Sequence, residues 1–554
     1  MVLDGTRNGL DLPEATRDEV KQLKKDLSNT CTEFSKNFNE EKGTITFTEE
    51  ELVGVPADVV KGFAEKPAED GKGNVRVVTF KTPDIVPIYK HARNPETRRK
   101  TLQAAESKLA INVPLFEKAL QLRRRLAKLQ QYENWADYIE EVKMIKTGRA
   151  VVDFLADLRQ KLTPLGVRER DELLKLKAAE HEKYGYPPSN EFFIWDYRYY
   201  DNAYVEKNLD LDDNAIKEYF PVDVVVPAVL DIYQELLGVK FRDVTNSTSI
   251  WHPEVRHFEV WEAGATTEKE FIGDVYLDLY PRENKYSHAA VWGLIPSYIK
   301  EDGAIQYPLA AMVANLAKPT PDRPALLRHD DAVTFMHEMG HVFHGMLSRV
   351  KFSRFHGTSV ARDFVEAPSQ MLENWCWEPE VLKRITSHYK TQEKMSDELI
   401  AKLIKSRYVN IALFSLRQLF FGTFDIKVHT DTTIGAENVD YSKMWCDLRE
   451  EVSLVKTGEQ ITPGQGSFGH IMGGYDAGYY GYLYSQVFSA DMYATVFEKD
   501  PMSPASGKKY RQNILLPGGS RDEMDSLKAF LGRAPNAEAF LKSILGTSEV
   551  KSSL

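Results

Sequence analysis

Cysteine is scarce in this 554-residue chain: Cys31, Cys376 and Cys446 are too few and too scattered for a disulfide framework or a cysteine-rich zinc site, and a reducing compartment is expected. No long run of Lys and Arg escapes acidic interruption, and 71 basic against 82 acidic residues leave a net charge of −11. That balance speaks against a nucleic acid or an anionic membrane as partner. Long apolar runs are missing too. The longest uncharged stretches, Tyr286 to Ile299 and Ala304 to Ala317, stop short of the ~18 residues a membrane span needs, and each contains Pro. The segment Met1 to Arg7 has neither the apolar core of a secretory signal nor the Arg- and Ser-rich pattern of a transit peptide, so a cytoplasmic location is expected. The sequon Asn246-Ser247-Thr248 then has no consequence.

What is present is an ordinary soluble composition, 42% hydrophobic and 28% charged, with enough chain for roughly three to four core-sized units at ~150 residues each. Apolar residues recur mostly at helical spacing, so the fold class is mostly α. Helical patterns cover Glu14 to Asn29, Asn94 to Leu129, Ser396 to Phe421 and Arg521 to Leu531. One helix is expected to start near Thr163-Pro164 and run to Gly185, and another from Pro227 to Gly238, because Pro suits a first turn and Gly a C-terminal stop. The middle of the chain differs. Val255 to Glu262 and Phe271 to Leu279 alternate polar and apolar residues as strands do, and Leu309 to Asn315 suits a more buried strand. The expected division is a helical part, 1–240, followed by a part with a small sheet, 241–554.

The strongest signal is His337-Glu338-Met339-Gly340-His341. Histidines four apart stack on one helix face and can converge on one ion, with Glu338 beside them, and imidazole is a preferred ligand of zinc. Asp330 and Asp331 are expected to cap this helix, and its apolar stripe makes it credible. The bland alternative is a helix with two satisfied histidines. A catalytic zinc needs a third protein ligand and one open position. His344 lies about 10 Å along the axis from His337 and reads as a pocket wall. On the segment from Asp363 to Glu373, the residues Asp363, Glu366 and Glu373 all qualify, Glu366 being favoured by its place in a first turn. A second constellation runs from Gly464 to Tyr482. It lacks the Gly-Lys-Ser/Thr of a phosphate loop, so it reads either as a loop bringing imidazole and phenol donors to an oxyanion or as a Gly-rich turn before a packed aromatic helix.

These residues resemble one family. His337-Glu-Met-Gly-His-Val-Phe-His344, Gly357-Thr358 and Asp363-Phe-Val-Glu366 through Trp375 are similar to the thimet oligopeptidase, neurolysin and saccharolysin family of zinc endopeptidases. The likeness extends to Trp195-Asp-Tyr-Arg-Tyr-Tyr200, Trp251 to Arg256, Tyr280 to Tyr286, Lys318-Pro-Thr320 and Leu516 to Ser520, nearly the whole chain. It implies an elongated, multi-helix metallopeptidase body split by a deep channel, with one zinc per chain near the floor and a small sheet beside the zinc helix. The family's ligands are the two motif histidines and a glutamate 25 residues after the second, here His337, His341 and Glu366. Its general base falls on Glu338, and its substrate-binding and transition-state donors fall on His470, Tyr475, Tyr479 and Tyr482. The implied activity is cleavage of internal bonds in short unstructured peptides by a monomer without nucleic-acid or membrane partners. The strand near Leu309 to Asn315 is expected to pair with the substrate backbone.

Family members usually carry a further helical stretch before the point where this chain starts. Its absence is expected to open part of a channel wall and to uncover part of the aromatic cluster from Phe192 to Tyr204, whose ordinary role is packing. The alternative function is therefore a catalytically impaired peptide-binding or scaffold relative, against which the intact Glu338 argues.

Overall fold

The computed structural model describes residues 2–68, 71, 73–283, 285–286, 288–319, 323–430, 432 and 439–546. Asn284 and Thr320, which fall in two of the motifs above, lie outside the described residues. Helices dominate, and they stop where glycine allows: Gly185 at φ 71° and Gly238 at φ 66° take the left-handed conformation that closes Gly148–Tyr184 and Val222–Leu237. Their starts differ from expectation. The Thr147 hydroxyl caps the first by accepting from Ala150 N, so Pro164 lies inside the helix, and Pro227 likewise lies inside the second. Each proline removes one backbone hydrogen bond, but residues packed on both sides of it, Leu155, Leu158, Leu162 and Leu173 in the first, keep the helix whole. The pattern from Ser396 to Phe421 is two helices, Asp397–Ser406 and Ile411–Thr430, separated at Asn410, whose φ of 50° is incompatible with a continuing helix. The first long helix continues past Asn29 to Glu40.

Two compact units emerge, each built from two chain segments. The first comprises Met1–Asn208 and Val409–Tyr480, the second Leu209–Tyr408 and Gly481–Leu554. In the first, helices are joined by a three-stranded antiparallel sheet of β1 Thr44–Phe47, β2 Ala64–Pro67 and β3 Asn74–Thr79 in the order β1-β3-β2. Strands this short carry little alternation, so no pattern in the sequence marks them. The Phe192 to Tyr204 cluster packs as a core there: Phe192 and Tyr200 are buried with Leu173, Leu413 and Val455.

The second unit holds a five-stranded sheet: β4 Val239–Asp243, β5 Arg256–Glu262, β6 Phe271–Asp278, β7 Ala290–Ile295 and β10 Leu309–Val313, in the order β4-β5-β6-β10-β7. The short strands β8 Tyr298–Ile299 and β9 Ile305–Gln306 pair separately. The expected strands correspond to β5, β6 and β10. The expected role of β10 does not hold, because it pairs in parallel with β6 on one side and antiparallel with β7 on the other, leaving it no free edge. β4 forms one edge of the sheet and β7 the edge beside β10, where Trp292, Leu294 and Ile295 are exposed.

At the end of β6 a polar knot locks the sheet. Asp278, 2% exposed, accepts from Trp251 Nε1 and from both terminal nitrogens of Arg282. Lys285 Nζ lies 2.9 Å from the same carboxylate and donates to the carbonyls of Asp278, Tyr280 and Ala314, joining the ends of β6 and β10. Burial would raise the Asp278 pKa, but these donors hold it well below the ordinary value. The motif segments around Trp251 and Tyr280 thus build a clamp. Among the described residues no helix is long and apolar enough to cross a membrane. Replacing Lys285 with Met strips a buried ion pair and three carbonyl contacts, so stability is expected to fall by ~3–5 kcal/mol, read as a lower urea midpoint at unchanged m-value.

Candidate functional site

The motif helix spans His329–Leu347 and buries Phe335, Met336, Met339, Val342, Phe343, Met346 and Leu347. Its cap is not Asp330: Arg328 is the N-cap residue, and the Asp331 carboxylate reaches back to accept from Arg328 N at 2.9 Å. The Tyr233 hydroxyl, on the Val222–Leu237 helix, donates to Met336 O at 2.7 Å, and its ring stacks on Phe343 at 4.7 Å. These contacts fix the rotation of the motif helix one residue before His337.

With that rotation fixed, His337 and His341 face the same way, their ring centroids 4.9 Å apart. Glu366, the first residue of the Glu366–Glu373 helix, places one carboxylate oxygen, Oε2, 3.2 Å from Nε2 of both histidines. Among the described residues these three form the group with metal-holding geometry. Two ligand atoms at tetrahedral angles around a zinc ion stand about 3.4 Å apart, so the spacing fits. Of the other candidates, the Glu373 carboxylate sits 2.7 Å from Nδ1 of His337, on the far side of the ring. There it accepts the Nδ1 proton and orients the ring so that Nε2 points at Glu366, an orienting role that the spacing of acidic residues alone did not disclose. Asp363 is buried and lies outside the group.

The charges in the cluster answer one another. Desolvation opposes a charge on His337, yet hydrogen bonds to Glu366 and Glu373 outweigh it and carry its pKa up to about 10. Burial would raise Glu366, but the bonds from His337 and His341 hold it below the usual carboxylate range. Glu338 is 9% exposed, and burial lifts its carboxyl above the ordinary value against the pull of His337 and His341. His344 is no pocket wall. It is 0% exposed, and burial drives its pKa down to about 3, so it is a neutral core residue.

Gly340 makes the crossing of the two helices possible. A Cβ there would stand 3.0 Å from both Ser369 Cα and Leu372 Cδ1. Beside the cluster, a cavity of about 220 Å³ is lined by Val291, Gly293 and Ile295 of β7 together with His341 and Glu366.

The Gly-rich segment lies mostly in the first unit. His470 sits 5.6 Å from the Tyr475 ring and 5.1 Å from the Tyr479 ring. The Asp425 carboxylate fastens the loop by accepting from the backbone N–H groups of Ala477 and Tyr479 at 2.8 and 2.9 Å. The Tyr479 hydroxyl donates to Gln418 Oε1 at 2.8 Å, and burial pushes its pKa to about 12, so it stays a donor. Tyr482 belongs to the second unit, in the first turn of the Gly481–Val496 helix, which packs on the Glu366–Glu373 helix. The His470, Tyr475 and Tyr479 rings are thus brought together, with Asp425 and Gln418 as supports that no local pattern announced.

Residues 88–545 match the profile of Peptidase family M3. Saccharolysin of Saccharomyces cerevisiae is 43% identical over 546 residues, covering 98% of this chain and 76% of that protein. The thimet-like oligopeptidase of Dictyostelium discoideum is 38% identical over 544 residues, 97% of this chain and 80% of its own. Oligopeptidase A of Escherichia coli is 31% identical over 555 residues, 97% of this chain and 79% of its own. In fold, the chain resembles the 3.1 Å crystal structure of a protein provisionally called oligoendopeptidase F, with TM-score 0.52 at 13% identity, covering 97% of this chain and 77% of that one.

Gly340→Ala is expected to push the two helices apart at a backbone contact, costing ~1–3 kcal/mol of stability. Divalent-metal retention should weaken with it. A melting temperature and metal stoichiometry equal to those of the parent protein would show that the crossing tolerates a methyl group.

Proposed function

The chain belongs to peptidase family M3, and from that membership we propose that it is a zinc-dependent endopeptidase acting on internal bonds of short, unstructured peptides. The observation that carries this reading is the meeting of His337, His341 and Glu366 at one point, with the buried Glu338 in their field. His337, His341 and Glu366 would hold one zinc, and Glu373 would keep His337 in the ligating tautomer. When bound, zinc supplies Lewis-acid polarisation of the scissile carbonyl and of the attacking water. Glu338 takes the proton from that water and delivers it to the leaving amine, a task suited to a carboxylate whose pKa burial has raised. Tyr479 or Tyr482 donates to the oxyanion, while His470 and Tyr475 position the peptide.

An extended peptide would add as a strand to the free edge of β7 and set one side chain in the cavity shared by β7, His341 and Glu366. Main-chain pairing then dominates affinity and leaves side-chain selection loose. In this reading the unit of Leu209–Tyr408 and Gly481–Leu554 contains the metal cluster and Glu338. On the same reading the protein is a cytoplasmic monomer, and its three free cysteines suit a reducing compartment.

Glu338→Gln is expected to keep one zinc per chain while losing ~10²–10⁴ in turnover, measured on a quenched short peptide beside metal analysis. Retained turnover would remove Glu338 from the role of base. Tyr479→Phe and Tyr482→Phe separate the oxyanion donor from a binding residue: loss of the donor costs ~10²–10³ in kcat, whereas a binding residue raises KM alone. In a ladder of peptides run beside folded and unfolded forms of one protein, cutting should decline with length. A zinc-loaded chain that cuts nothing would favour the impaired, peptide-binding relative.

A further inference from the structure

The first compact unit contains a cavity of about 490 Å³ whose wall includes His470 and Tyr479. Its charge is lopsided. Lys108, Arg198, Arg417 and Arg449 face a single carboxylate, Glu106, in a protein whose net charge is −11. Glu106 is already engaged, accepting from the Arg449 guanidinium and from the Thr462 hydroxyl. Arg417 has no acidic partner and no hydrogen bond among the described residues, its guanidinium carbon resting 4.9 Å from the centre of the Phe421 ring. Arg198 is exposed and also without an ion pair among them. Burial, together with the positive fields of Arg449 and Arg198, pulls the Arg417 pKa down to about 10.

Arg417 is half-buried, and a cation partly withdrawn from water gains from any anion that reaches it. Two more groups on the same wall wait for a partner: Trp445 Nε1, in a residue 3% exposed, and Ser467 Oγ have none among the described residues. Trp195, Phe421 and Phe468 make much of the remaining surface apolar. A wall of arginine forks and aromatic faces suits a planar anion attached to an apolar or aromatic group, and a carboxylate is the anion a peptide carries. The volume is that of a small-ligand site.

We propose that this cavity is a carboxylate subsite for peptide substrates, in which Arg417, assisted by Arg198, receives a carboxylate and the aromatic wall takes the neighbouring side chain. The inference deepens the peptidase reading and rests on its assignment of His470 and Tyr479 to substrate handling. The carboxylate can come from the C-terminus of the peptide or from an Asp or Glu side chain.

The test uses one peptide sequence in matched pairs, free acid against C-terminal amide and internal Glu against Gln. Binding to the full chain carrying Glu338→Gln is measured by calorimetry, and cleavage by the parent chain is measured separately. In at least one pair the carboxylate form should bind about tenfold to a hundredfold tighter, and the pair that discriminates identifies the source. Arg417→Gln should erase that preference, raising KM for the carboxylate form with little change in kcat and leaving the neutral form unaffected. Arg417→Lys, which keeps the charge without the fork, should fall between. Arg198→Gln alters an exposed residue, so a partial loss of preference in it carries the test if Arg417→Gln fails to fold. No preference in either pair, or a preference that survives in folded Arg417→Gln, overturns the subsite. Loss of cleavage with intact carboxylate preference in binding would instead overturn the peptidase reading and leave the subsite standing.

Discussion

The approach of two helices at Gly340 is the constraint on which the candidate centre depends. A Cβ at that position would stand 3.0 Å from Ser369 Cα and Leu372 Cδ1, tighter than ordinary contact, so glycine lets the Glu366–Glu373 helix come close enough for Glu366 to reach both histidines without displacing its neighbours. Three polar donors crowded within 4.8 Å in a largely buried place need either shared protons or a cation to offset their desolvation. The raised His337 and lowered Glu366 pKa values express the first solution, and a metal ion expresses the second with the same atoms.

The sheet next to this crossing is arranged by the same economy of contacts. β10 lies parallel to β6, which places both of its edges in hydrogen bonds and hands the outer position to β7. The Asp278, Arg282 and Lys285 knot ties the ends of β6 and β10 together, so the edge that remains open borders a stiff platform. The cavity lined by β7, His341 and Glu366 therefore joins an open strand edge to the candidate metal cluster within one compact unit.

Charge is used in opposite ways in the first unit. Arg98 and Lys177 are buried against Asp196 at 3.2 and 2.7 Å, and Arg98 also donates to the carbonyls of Ala92, Arg93 and Trp195, so every buried charge there has an answer. In the cavity beside His470 the answer is missing for Arg417. On the subsite reading, a carboxylate brought by the ligand would supply the partner that the described residues do not give Arg417.

Features set within one turn or one strand were legible in the sequence. Histidines four apart share a helix face, alternation marked β5 and β6, and Gly185 and Gly238 stopped their helices, because each depends on neighbours within about four residues. The same local logic misplaced two helix starts at proline, since packing along Gly148–Tyr184 outweighs one lost hydrogen bond. It also left Asp363, Glu366 and Glu373 all possible as partners for the histidines, with Glu366 favoured only by its first-turn position: their separation depends on where two helices cross, and only the crossing puts Glu366 on Nε2 and Glu373 on Nδ1 of His337. The edge position of β7 and the cavity formed by Glu106, Arg198, Arg417 and Arg449 assemble from residues far apart in the chain. No periodicity encodes such meetings, because they are decided by which buried surfaces pack together rather than by any residue's neighbours along the backbone.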